Sequence, residues 1–301
     1  LFEYLEGNNL LDVKSKSLLR GLIRKEFEAK NLRPVITTPQ TGIPRGCAIS
    51  SLLSEFYLSK IDEVIRRTLS GIVFMARYVD DIIIVVHPNL DDENLWSLHD
   101  YVKALTNAYI RHGLTIHTPT DGTNKCYTYD SKDTKNLKFN LLGYTIQSIR
   151  GDKDKLGFFS LSKDKKKKIS NRISKTFQKF DSLLNTATYD VAAHYLFDAL
   201  HVLTCNINLY NAKRGVKVGI FYSNQLLDNI KDLERLDRYI QYRCEQISLK
   251  GKAGVNPAKQ PQIEETLKKQ LEQISFVKGF DSHKRYKIKK SRLQMIKQSW
   301  V

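Results

Sequence analysis

The sequence predicts an α+β domain, a small sheet with helices on one face, followed by a basic and mainly α-helical region. Three observations predict it. Within residues 1–150 the hydrophobic period changes from helical to alternating and back. After residue 162 nearly every stretch repeats at three and four. The formal net charge of +17 is concentrated late, because residues 1–150 carry 19 Lys and Arg against 17 Asp and Glu while residues 151–301 carry 30 against 15. A length of 301 residues, 41% of them hydrophobic and 27% charged, suits a globular chain with room for two domains, 1–150 and 151–301.

The elements follow in order. Leu18, Leu19, Leu22, Ile23 and Phe27 in 15–30 are spaced as a helix that ends before Pro34. "TTPQTGIPRGCAIS" (37–50) is a loop punctuated by Pro39, Gly42, Pro44 and Gly46. A second helix then carries Ile49, Leu52, Leu53, Phe56, Ile61, Val64 and Ile65. "GIVFMARY" and "DIIIVVH" flank Val79 and Asp80, which predicts a hairpin with acids at its tip. Residues 92–112 form a helix stopped by Gly113. "LTIHTP" (114–119) and "FNLLGYTIQSI" (139–149) are strands on either side of a polar stretch. "RGDKDKLG" (150–157) is a turn-rich junction. Helices are then predicted at 163–185, 188–209, 224–247 and 261–276, with a short irregular or hairpin insert at 211–224 and a flexible loop at 248–262. "KGFDSHKRYKIKKSR" (278–292) is a basic run with two aromatics, either a frayed end or a nucleic-acid-binding arm.

No apolar run approaches the roughly 20 residues of a membrane helix. The chain starts at Leu1 without a signal peptide, which predicts a cytoplasmic protein lacking its natural N-terminus. Cys47, Cys126, Cys205 and Cys244 form no C-x-x-C pair and read as reduced thiols, not zinc ligands.

Adjacent acids at a hairpin tip point to metal chemistry. Hard carboxylate oxygens on a rigid strand end suit Mg2+, which keeps coordination positions open for phosphate oxygens. A cationic second region suits a polyanion, because each Lys or Arg near a phosphate releases condensed counterions.

"YVDD" (78–81) resembles the aromatic-x-Asp-Asp box of reverse transcriptases. "GIPRGCAIS" (42–50) is similar to that family's loop beneath the templating base and incoming nucleotide, and "FNLLGY" (139–144) to its primer-gripping hairpin. The three lie in the family's order. The resemblance covers about residues 15–150 and implies a partial right-hand polymerase palm followed by a helical thumb. It implies catalysis and metal binding by Asp80 and Asp81, with Asp80 the principal ligand, and nucleotide and template binding by Tyr78, Gly42, Pro44, Arg45 and Gly46. Leu142, Gly143 and Tyr144 would grip the primer, and Lys125 is a candidate proton donor to pyrophosphate. Arg45 stands where the family usually has Gln. No upstream Asp matches the family's first catalytic carboxylate, since Asp12 falls in a helical stretch, and the fingers have no counterpart. The chain is therefore expected to be the C-terminal part of a longer enzyme.

Among subfamilies the sequence is most similar to bacterial abortive-infection and defence-associated reverse transcriptases, through its compact loops and "RGVKVGIFYSNQLL" (214–227). The implied reaction is RNA-directed DNA synthesis by two-metal transfer with Mg2+, in antiviral defence. The implied partners are an RNA template, with a dedicated non-coding RNA left open, a DNA product and dNTPs. No membrane partner is expected, and homo- and hetero-oligomers stay open. Two alternatives remain: untemplated or protein-primed synthesis, for which Tyr222 is a candidate, and a non-catalytic RNA-binding scaffold. In "SLSKDKKKKISNRISKTFQKF" (160–180), Ile169, Ile173 and Phe177 would face the core while Lys166, Lys167, Lys175 and Lys179 meet the nucleic-acid backbone.

Overall fold

The computed structural model describes residues 12–15, 17, 49–88, 96–123, 125–131, 137–148, 157–209, 215–252 and 255–301. Most of the predicted helix 15–30, the loop of Gly42, Pro44, Arg45 and Gly46, and the junction at 150–156 lie outside them. The chain forms two compact units, Leu1–Asp130 and Ser131–Val301.

In the first unit, α1 (Ser50–Thr68) leads into the hairpin of β1 (Ile72–Tyr78) and β2 (Asp81–Val86), followed by α2 (Leu98–Ile110). Gly71 turns the chain between α1 and β1 at φ +69°; a Cβ there would lie 2.2 Å from the His87 carbonyl oxygen, so only glycine fits. The hairpin lays Met75, Ile82, Ile84 and Val86 against a core of Ile61, Ile65, Leu69, Tyr101, Ala108 and Tyr109. Val73 falls at a register shift between Ile72↔Val86 and Phe74↔Val85, and the opposite face exposes Phe74, Tyr78 and Val85. Ser97 and Asp100 form a capping box on α2, a signature present in the sequence as S-x-x-D. Gly113, at φ +69°, terminates that helix as expected.

The strand expected at 114–119 is absent: residues 114–118 join no ladder. Asp121 accepts hydrogen bonds from the Thr118 and Thr123 amides, at 3.1 and 2.9 Å, and sits 2.7 Å from His117 Nδ1. These local bonds, led by the Thr123 hydroxyl, hold the Asp121 carboxyl well below the usual carboxylate range and curl the segment.

In the second unit β3 (Lys138–Leu141), β4 (Tyr144–Gln147) and β5 (Phe158–Leu161) form an antiparallel sheet in that order. The compositional shift near residue 150 therefore lies inside this unit, since β4 pairs on both edges. Helices α3 (Lys163–Thr186), α4 (Tyr189–Thr204), α5 (Lys231–Glu245), α6 (Gln260–Leu271), α7 (Phe276–Asp281) and α8 (Lys290–Ser299) follow, with β6 (Asn206–Asn208) pairing β7 (Lys217–Gly219). Ile173, Phe177, Phe180, Leu196, Leu200, Leu233, Ile240, Leu267 and Phe276 build the core. Each such side chain contributes roughly 1.5–3 kcal/mol by leaving water.

Three predicted helices are shorter than expected. The one at 188–209 stops at Thr204, because Asn206 enters β6. Residues 224–230 are turn and irregular backbone, with Asn224 Nδ2 donating to the Ile220 carbonyl at 2.6 Å, so α5 starts at Lys231. The helix at 261–276 breaks at Leu271 and restarts at Phe276, where Asp237 accepts from the Phe276 and Val277 amides. Within the predicted loop at 248–262 lie a 3-10 turn at Pro257–Lys259 and the first turn of α6. Nor is the basic tail a frayed end: Ile288, Leu293 and Ile296 are buried against Tyr195, Ala199 and Ile207, and Trp300 Nε1 donates to Thr176 at 2.9 Å.

Candidate active site

Tyr78 pairs with Asp81, so the β1–β2 hairpin closes through a two-residue tip, Val79 and Asp80. Val79 has φ +58°. Positive φ at the first tip position suits the twist of a two-residue hairpin, but a β-branched residue there is strained by roughly 1–2 kcal/mol. Asp80 and Asp81 are both exposed, as is Tyr78, on the side of the hairpin away from the core.

What holds this tip is Arg77, which the sequence reading passed over. Its side chain is 4% exposed. Nε donates to both Asp62 carboxylate oxygens at 3.0 and 2.9 Å, and Nη2 donates to Asp62 at 2.7 Å and to Glu55 at 2.9 Å. Nη1 reaches Glu55 at 3.1 Å and the Val79 carbonyl, also at 3.1 Å. Asp62 and Glu55 both lie on α1, so one guanidinium fixes the strained turn to the helix beneath it. The hydrogen bonding from Asp62 raises the Arg77 pKa still further above its already high ordinary value. A signal was present in the sequence: an Arg at an inward-facing strand position requires a buried acid. Val79→Gly is expected to leave stability unchanged or raise it by about 1 kcal/mol in urea denaturation, because glycine enters positive φ without the Cβ penalty. A clear loss would show that the tip is not strained.

Asp80 and Asp81 fit a divalent cation by donor chemistry. They offer adjacent hard oxygens on an anchored turn, and among the described residues no Lys or Arg pairs with either. No third His, Cys, Asp or Glu joins them among those residues. Asp12 accepts from the Ser15 amide at 2.6 Å, in the manner of a helix cap, and this bond lowers its pKa. Lys125 is exposed on the loop after α2.

The other expected site residues lie in the second unit. Leu142 and Gly143 form the β3–β4 tip at φ +49° and +82°, both positive as a type I′ turn requires. Leu142 is 48% exposed, whereas Tyr144 is buried, its ring 6.1 Å edge-on from Phe159 and 5.0 Å from Lys165 Nζ. Lys165, also missed from sequence, donates to the Ser223 carbonyl at 3.1 Å, and its Cδ would lie 3.1 Å from a Cβ at Gly143. Burial lowers the Lys165 pKa and raises that of Tyr144.

Along α3, Ile173 and Phe177 are buried and Ile169 packs beside them. The four predicted lysines divide. Lys166 donates to buried Asp232 at 3.0 Å, and Lys175 donates to the Trp300 and Val301 carbonyls at 3.1 and 2.7 Å. Lys167 and Lys179 are exposed. Periodicity could assign the buried stripe but not the acid and carbonyls that come from distant segments.

The molecule can thus present two carboxylates on an anchored turn in one unit, and a hairpin tip with a partly basic helix in the other. Residues 10–146 match the family described as reverse transcriptase (RNA-dependent DNA polymerase), a segment that includes the tips of both hairpins. Neither a curated protein nor a solved structure matches the chain.

Proposed function

We propose that residues 1–150 are the C-terminal part of a polymerase palm and residues 151–301 a basic thumb, and that the protein extends DNA on an RNA template by two-metal nucleotidyl transfer. The observation that carries this reading is the exposed Asp80–Asp81 pair on a turn clamped by Arg77, inside the segment that matches the reverse transcriptase family. Bound there, Mg2+ would polarise phosphate oxygens and acidify a primer 3′-hydroxyl. Asp80 and Asp81 would hold the cation, and Arg77 anchors their turn through Asp62 and the Val79 carbonyl. Tyr78 is exposed beside them for the sugar or base, and in the second unit the exposed tip residue Leu142, followed by Gly143 and the buried Tyr144, is the candidate contact for a primer end. A setting in bacterial antiviral defence rests on the similarity of residues 214–227 and the compact loops to that group.

The test is primer extension by the full-length native protein on a heteropolymeric RNA template with Mg2+. The expected product has the template's length, and withholding one dNTP stops it at the first position that needs it. Product that ignores the missing nucleotide would move the reading to untemplated synthesis. RNA binding without any product would move it to a scaffold. The lysines give a second expectation. Lys167→Ala and Lys179→Ala should each reduce the slope of log affinity for duplex against log salt by about 1, as phosphate contacts do. Lys175→Ala should leave that slope unchanged and lower the melting temperature instead.

A further inference from the structure

Asn206 is fully buried and joins three segments. Its Oδ1 accepts from the Phe221 amide at 3.0 Å and from the Tyr222 amide at 3.4 Å. Its own amide donates to the Lys284 carbonyl at 2.9 Å, and its carbonyl accepts from the Tyr286 amide at 2.7 Å, with a parallel bridge to Arg285. The side-chain Nδ2 donates to the Lys284 and Gly279 carbonyls. Gly219 belongs to the same arrangement, since a Cβ there would lie 2.5 Å from the Asn206 Cα. One polar hub therefore sets the Phe221–Tyr222 turn against the basic tail, with every contact inside the second unit.

The surface this creates alternates rings and cations. Phe221 stacks on exposed His283 with centroids 3.6 Å apart, and Phe280 supports Phe221 edge-on at 5.4 Å. His283 is held at φ +50°. Tyr222 is half-buried beside Phe221, with Lys217 Nζ 5.4 Å from its ring. Lys217, Lys284, Arg285 and Lys287 are all exposed. The turn continues to Ser223, whose carbonyl takes the Lys165 ammonium beside the β3–β4 tip.

We infer that this surface binds single-stranded nucleic acid, with Tyr222 and His283 stacking unpaired bases and Lys217, Lys284 and Arg285 holding the phosphates between them. Rigid rings interleaved with cations fit a strand whose bases are free, whereas a duplex hides the base faces and offers only phosphate. Anchoring by Asn206 removes the ordering cost that a loose tail would incur on binding. The inference rests on nucleic acid being the ligand of the second unit, and not on catalysis at Asp80 and Asp81.

The experiment is fluorescence anisotropy with a labelled single-stranded oligonucleotide, in RNA and DNA forms, without dNTPs. It uses the full protein carrying Asp80→Asn and Asp81→Asn, so that a failed polymerase reading leaves the measurement intact. Tyr222→Ala and His283→Ala should each weaken binding roughly fivefold or more, with an unchanged salt slope, because stacking releases no counterions. Tyr222→Phe should bind as the parent does, showing that the ring and not the hydroxyl is used. Lys284→Ala with Arg285→Ala should lower the slope by about 0.7 for each cation removed. An abasic oligonucleotide should not distinguish Tyr222→Ala from its parent. Preference for either the RNA or the DNA arm would support the site and identify its strand. Equal affinity of both ring variants and the parent for both arms would overturn the inference, as would a parallel loss of duplex binding.

Discussion

Asp80→Asn is expected to lower nucleotide incorporation by about 10²–10⁴-fold while leaving the fold as stable as before. On the proposed function the loss would follow from removing the principal hard-oxygen ligand of a catalytic cation, whose stabilisation of transition-state charge amounts to several kcal/mol. Unchanged stability follows from the geometry: Asp80 is exposed at a turn and adjoins a like charge, so the isosteric amide removes repulsion and leaves no described partner unsatisfied. Asp81→Asn should fall in the same direction by a smaller factor, as a supporting ligand would. Steady-state incorporation across a Mg2+ titration, beside a thermal melt, separates the two consequences. If Asp80→Asn lowers activity and melting temperature together, the residue is structural and its metal role fails.

Arg77→Met should be the most damaging single change to the first unit. It would leave Asp62, 21% exposed, without the guanidinium that contacts both its oxygens, and would release the Val79 carbonyl. Breaking a largely buried ion pair from one side costs about 3–5 kcal/mol, and the partial exposure of Asp62 brings the expectation to about 2–4 kcal/mol. Incorporation measured well below the variant's melting temperature should still be reduced about 10²-fold, because a shift of about 1 Å at a reacting centre has that effect. Arg77→Lys restores charge but cannot reach Asp62, Glu55 and Val79 together, so it should recover most of the stability and little of the activity. Full activity in Arg77→Lys would show that charge alone sets the tip.

The hairpin, its acidic tip and the helix carrying Ile61 and Ile65 were legible because each has a clean local period and a Gly or polar boundary. Local pattern was also enough for the buried stripe of α3, whereas the turn at Leu142–Gly143, which divides the single strand expected over 139–149 into β3 and β4, was signalled only by the resemblance of "FNLLGY" to a family hairpin. Local pattern failed where distant residues decide. Residues 114–118 alternate like a strand but find no ladder partner and are curled by Asp121. The helix after Tyr189 ends early because Asn206 serves two remote segments. Arg77, Lys165 and Lys166 look like surface cations until their partners 15 to 66 residues away are known. The tail reads as a solvated basic run because Ile288, Leu293 and Ile296 are spaced among eight charges too closely for the eye to separate core from surface.

The most direct test of the central claim compares incorporation by the wild-type protein and by the Asp80→Asn, Asp81→Asn double variant, on the same primed RNA template with Mg2+ and all four dNTPs. Matched melting curves must accompany it. The account predicts template-length DNA from the wild type and none above background from the double variant at equal stability. Equal product from both proteins would contradict it, because the chemistry would then reside away from the turn that Arg77 holds.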